Sequence, residues 1–145
     1  MGRTRRHKSK RFETIQRNAL ISSVAPSVRL SINGPSDLDP ELEGRPWLEL
    51  RGKLVEPIRD VDQVRFSIWP DPDRRVGPNR PAAVAHLVGI RPEVSVIGSC
   101  APAEFSYIWT LALSGQLTHA YMSLTKPRYN SAAVLSLSFS NELEE

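Results

Sequence analysis

Apolar residues recur at every second position through most of this chain, and prolines, glycines and asparagines separate the runs that do so. Val28, Leu30 and Ile32 alternate with Arg29 and Ser31 ahead of Asn33-Gly34-Pro35, which predicts a first strand closed by a turn. Trp47 to Val55 predicts a second, with Leu48, Leu50 and Leu54 on an inward face and Glu49, Arg51 and Lys53 outward. Gly52 falls on the inward set, which marks a bulge or the close approach of another element. Val64, Phe66 and Ile68 are the inward set of a third strand, ended by Pro70. In Ala83 to Arg91 both parities are apolar, so this fourth segment reads as a central strand buried on two sides. Val94 to Gly98 makes a short fifth.

The period changes at Pro102. Pro suits a first helical position, Glu104 falls in the first turn, and Gly115 sits where a left-handed C-terminal cap belongs, so 102–114 predicts a helix. Phe105, Ile108, Trp109 and Ala112 share its buried stripe. A strand of alternating Phe105, Tyr107, Trp109, Leu111 and Leu113 is the rival, but twelve residues is long for a strand. Beyond Gly115, Thr118, Ala120, Met122 and Leu124 oppose Leu117, His119, Tyr121 and Ser123 in a further strand. A last strand sets Ala133, Leu135, Leu137 and Phe139 against Val134, Ser136, Ser138 and Ser140. One face of this pair is greasy and the other rich in hydroxyls.

Other stretches carry weaker patterns. Ile15 to Ala25 suits a short helix or a strand lead-in, 36–44 (SDLDPELEG) an acidic connector with a single helical turn, and 71–82 a long surface loop. All twelve prolines fall outside the proposed strands or at their ends, as a hydrogen-bonded ladder requires. The expectation is a mainly β protein: a single β-rich domain of about seven strands, either a sandwich or a strongly twisted antiparallel sheet, with one short helix near 102–114.

Charge divides the chain unevenly. The first seventeen residues hold Arg3, Arg5, Arg6, Lys8, Lys10, Arg11 and Arg17 against Glu13 alone, a net +6, while the remaining residues hold 12 basic and 15 acidic side chains, a net −3. Residues 1–17 therefore read as a basic tail, disordered when free, and 18–145 as the globular domain. Those seven cations are candidates for binding a polyanion such as nucleic acid, against the plainer role of a solubilising terminus. With one cysteine, Cys100, no internal disulfide forms, and no apolar run reaches the length of a membrane span. The expected setting is cytoplasmic, without a membrane partner.

No phosphate loop, nucleophile elbow or metal-binding spacing occurs, and no metal or cofactor is expected. A small hydrolase or metal-dependent enzyme would have to use His86, His119 and Cys100, the only His and Cys outside the tail. Trp47 and Trp69 share parity with outward charges, which suits protein contact and, less well, sugar stacking by a carbohydrate-binding sandwich. Tyr107 and Leu111 lie off the buried helix stripe, so the helix needs cover on a second side, from its own fold or from another chain. Arg74, Arg75 and Arg80 offer either a secondary basic surface or a loop salt-bridge cluster, since Asp71 and Asp73 offset two of the three charges. The leading expectation is a non-catalytic binding or assembly module, docking on protein or on its own copy through Trp47, Trp69, Tyr107 and Leu111.

Overall fold

A computed structural model describes residues 13–33, 41–72 and 83–142. The chain runs β1 (Thr14–Asn33), β2 (Glu41–Ile58), β3 (Val61–Pro70), β4 (Ala85–Gly89), β5 (Val94–Cys100), α1 (Pro102–Leu113), β6 (His119–Thr125) and β7 (Ala132–Ser140). The seven strands close into a barrel in the order β1-β2-β3-β5-β4-β7-β6, with β6 returning to β1. The mainly β class with one short helix holds. The sandwich does not, because β1 pairs with β2 along one part of its length and with β6 along another, which joins the two ends of the sheet. Nor is the sheet wholly antiparallel, since β3 and β5 run parallel, with β4 returning beside β5.

The interior is filled rather than hollow. Leu48, Leu50, Leu54, Val64, Phe66, Leu87, Val96, Met122, Leu124 and Val134 are fully buried, and Phe66 meets Phe139 edge to face with centroids 5.7 Å apart. Charged side chains occupy outer positions, with Arg51 on Glu49 of the same strand at 2.8 Å and Arg65 of β3 on Glu93, just ahead of β5, at 3.4 Å. This is the reverse of a lipid-facing barrel, whose apolar band lies outside. Among the described residues no helix is long and apolar enough to cross a membrane.

Helix α1 sits at the barrel end where β5 finishes and β6 starts. Pro102 opens it, and Phe105 and Ala112 are buried in the core. Gly115, at φ +76°, closes it: Gln116 N–H donates to Leu111 C=O at 3.0 Å across the left-handed residue, the Schellman pattern. The strand alternative for this segment fails on that geometry.

Several local readings change. Thr14 to Ala25 is strand, continuous with the predicted Val28–Ile32. Glu41 to Gly44, assigned to a connector with a helical turn, belongs to β2, and residues 34–40 lie outside the described set. The loop at 71–82 is described only as far as Pro72, so Arg74, Arg75 and Arg80 also lie outside it. β4 is buried on one side alone: Ala85 and Leu87 point inward while Val84, His86 and Val88 are exposed. In β7 the register shifts so that Val134 faces Leu124 and Ser136 faces Ser123, leaving Leu135 as the extra residue of a bulge. One extra residue reverses parity, so the inward set is Val134, Leu137 and Phe139 rather than the alternating run from Ala133. Pro26, Pro46 and Pro57 lie inside strands, contrary to the expectation; Pro26 and Pro46 sit where β1 and β2 have no neighbour on their outer edges, so their missing N–H groups break no ladder.

Gly52 shows why the barrel can close. It lies opposite Ile21, beside a second register shift at Ser22, and a Cβ placed on it would stand 2.0 Å from the carbonyl oxygen of Leu20. The obstacle is backbone, which cannot rotate away. Gly52→Ala should therefore cost about 3 kcal/mol or more, read as a lower urea midpoint, since overpacking typically costs ~1–3 kcal/mol where side chains can yield. An unchanged midpoint would show that β1 and β2 do not cross this closely.

Candidate functional site

β1 crosses the barrel and continues beyond it. From Ser27 to Asn33 it pairs only with Glu41–Trp47 of β2, because β6 ends its pairing with β1 at Leu20 and β3 begins its pairing with β2 at Leu48. The result is a two-stranded ribbon about 20 Å long at the usual rise of ~3.3 Å per residue. Val28 and Leu30 share one face of it with Pro46 and Gly44 opposite, and they are 57% and 68% exposed. Arg29 and Arg45 occupy the other face as a directly opposed pair.

At the ribbon's base Trp47 and Trp69 stack on the outer surface with centroids 5.3 Å apart and planes 7° from parallel. Both tryptophans keep the outward parity read from the sequence; that they come together follows from the pairing of β2 with β3. Each spends one ring face on the other, which leaves less free surface for the sugar stacking of a carbohydrate-binding module. Tyr107 projects from α1 at 69% exposure, while Leu111 is half-buried against the core.

The hydroxyl-rich surface is assembled as the spacing implies. His119 lies opposite Ser140, Tyr121 opposite Ser138 and Ser123 opposite Ser136, and Gln16 and Asn18 of β1 extend the same rows. Thr118 Oγ1 lies 2.8 Å from Nδ1 of His119.

His86, His119 and Cys100, the residues named for an enzyme, are dispersed. His86 pairs beside Ala133 and His119 beside Ser140, seven residues apart on β7 and so roughly 20 Å apart. Cys100 has the inward parity of Val94 and Val96 and packs partly against the core, whereas His86 faces outward beside Ile97. No cluster of three His, Cys, Asp or Glu side chains suited to a metal occurs among the described residues.

Of the seven tail cations, Arg3, Arg5, Arg6, Lys8, Lys10 and Arg11 lie outside the described residues; Arg17 does not. It occupies an inward position on β1 opposite Met122, with its side chain 14% exposed. Here β1 has no ladder to β2, whose pairing with β1 stops at Leu54. The Arg17 guanidinium bridges that gap by donating from Nε and Nη2 to the carbonyl of Pro57, at 3.4 and 3.3 Å, and lies 3.7 Å from the Glu56 carboxylate. It is a stitch in the barrel wall rather than part of an arm.

The sequence reading also missed a set of residues that three loops bring together. Arg59, between β2 and β3, donates to the carbonyls of Tyr129 and, at 3.0 Å, Pro127, between β6 and β7. Arg91, between β4 and β5, donates to the Arg59 carbonyl at 3.2 Å. The only local signal was an aromatic and two cations around a proline in Lys126-Pro127-Arg128-Tyr129. Comparison with known protein families, with curated proteins and with solved structures finds no match to this chain.

Two stability measurements test this geometry. Arg17→Ala should cost about 1–3 kcal/mol in urea unfolding, the usual loss for a charged hydrogen-bond donor, and Arg17→Lys should recover little because an ammonium cannot span the same acceptors as a planar fork. For the indole pair, a double-mutant cycle with Trp47→Ala and Trp69→Ala should give a coupling of about 0.5–1.5 kcal/mol. Strict additivity would mean that the rings do not stack in solution.

Proposed function

We propose that this chain is a non-catalytic assembly module, in which the barrel is a rigid scaffold, the ribbon docks on a second copy, and the basic N-terminal arm engages an anionic partner such as nucleic acid. The observation that carries the reading is the uncovered apolar face of the ribbon. An isolated two-stranded ribbon is marginal in water, and Val28 and Leu30 add apolar surface that solvent does not favour. A two-fold axis through that face sets Val28 and Leu30 of one copy on the same residues of the other, the self-complementary arrangement of a symmetric dimer. Face-on-face packing is favoured over edge pairing because Pro26 and Pro46 lie on the outer edges, where proline blunts strand addition. A nucleic acid suits this end poorly: residues 36–43 hold Asp37, Asp39, Glu41 and Glu43 and no base. The arm, by contrast, has six cations and no acid in residues 1–12.

Leu30→Glu should keep the barrel folded, because the residue lies beyond the core, and should weaken self-association by roughly 30-fold or more, the effect of about 2 kcal/mol of unpaired burial. Sedimentation or light scattering of wild type and variant over a concentration series checks this. A wild type that stays monomeric at high concentration would remove the second copy as the ribbon's partner.

A further inference from the structure

The barrel end away from the ribbon has features that neither the fold nor self-association explains. It gathers the β2–β3, β4–β5 and β6–β7 loops, and the arm joins the barrel there. Glu13 fixes that junction: its carbonyl accepts from the Lys126 N–H at 2.8 Å and its carboxylate lies 3.4 Å from the Lys126 ammonium. The first residues beyond the arm are therefore held beside the Lys126–Asn130 loop.

The charges at this end do not cancel. Glu13 is matched by Lys126, Glu56 by Arg17, Asp62 by Lys53 and Glu93 by Arg65. Arg59, Arg91 and Arg128 remain, all exposed and none in an ion pair among the described residues, against Asp60. Arg59 and Arg91 donate to backbone carbonyls, which orients them without neutralising them.

Tyr129 adjoins this group, following Arg128 and accepting from Arg59 through its carbonyl. It is 92% exposed, the most exposed large apolar side chain described, and its backbone is left-handed at φ +57°, a strained region for a bulky residue. The strain is held from two directions. Arg59 binds the carbonyls on either side of Arg128, and Arg128 and Ser131 exchange N–H···O=C bonds at 3.0 and 3.1 Å. An aromatic ring presented to solvent on a braced loop, beside uncompensated guanidinium groups, suits a planar base next to a phosphate. Such a base must be unstacked, which favours single strands over duplex.

We infer that this end of the barrel is a single-stranded nucleic-acid site, with Tyr129 as the stacking platform and Arg91 and Arg128 as phosphate contacts. The inference rests on the proposed anionic partner of the arm and extends it to the folded barrel.

The test uses the full-length chain and a fluorescent oligothymidine of about twenty nucleotides, enough to span the site sizes of single-strand binders, with a duplex of equal length beside it. Tyr129→Ala should weaken single-strand binding roughly 5- to 100-fold, as loss of one stacked base does, with the salt slope and duplex affinity unchanged. Tyr129→Phe should retain binding, because stacking needs the ring and not the hydroxyl. Arg128→Ala and Arg91→Ala should each lower the log-log salt slope by about 0.7. Thermal melts of the variants establish that they are folded; Tyr129→Phe and Arg128→Ala preserve the Arg59 contacts, which use backbone carbonyls. If these changes leave single-strand affinity and salt slope as in wild type, while changing the six arm cations to Gln abolishes binding, the folded site is refuted and the arm alone binds. If wild type binds neither probe at low salt, the arm's anionic partner is not nucleic acid and both readings fall. If Tyr129→Ala instead lowers the sedimenting mass, this end receives the acidic ribbon of another copy, which also overturns the proposal.

Discussion

Barrel closure depends on how β1 changes partner. Its Thr14–Leu20 half pairs with β6 and its Ala19–Asn33 half with β2, and the two ladders overlap only at Ala19 and Leu20. A strand that changes neighbours this abruptly must turn a corner, and the devices that permit it lie together. Ser22 is the extra residue of a bulge, and Gly52 lets the β1 backbone come within the space a side chain would need. Where the corner leaves β1 without a backbone partner on β2, Arg17 supplies one from its side chain. The filled interior follows from this closure, since each strand then presents one face to a common core.

The same handover produces the ribbon. Once β1 has left β6 and β2 has passed the last residue of β3, neither has an outer neighbour, yet the two remain paired with each other as far as Asn33 and Glu41. The projection is therefore a continuation of the barrel's own ladder, anchored at its base by the Trp47–Trp69 stack. Because β1 spans the whole barrel, Glu13 and the ribbon fall at opposite ends.

Strict alternation in the sequence corresponds to strands that keep one partner on each side. β2 around Leu48–Leu54, β3 and β5 are of this kind, and α1 carries its punctuation at both ends, so each of these was readable before folding. β1 was not, because its bulge moves the inward set from Ile15, Arg17, Ala19 and Ile21 to Val24, and two short patterns of opposite phase sum to a weak one. β7 misled for the same reason at Leu135. In β4 the apolar outer residues Val84 and Val88 imitated a doubly buried strand, although the barrel covers only one side. Apolar content alone does not distinguish a second buried face from a solvent-facing one rich in valine.

For candidate binding residues, the divide lies between parity and convergence. The outward tryptophans and the His119–Ser140 rows are consequences of period two and were visible from spacing. Arg17 shows the limit of composition: it was counted with an arm because six cations precede it in the first eleven residues, but its position in a strand directs the guanidinium into the wall. Arg59, Arg91 and Tyr129 lie in three loops far apart in sequence, each unremarkable by itself, and only the return of those loops to one end of the barrel makes them a group. Their arrangement also differs in kind from a run of cations in sequence. A chain of cations attracts any polyanion through charge alone, whereas a braced aromatic among oriented guanidinium groups can favour an unpaired base over a paired one. Discrimination of that sort requires fixed geometry, and the bonds from Arg59 to the carbonyls of Pro127 and Tyr129 fix the backbone around the ring.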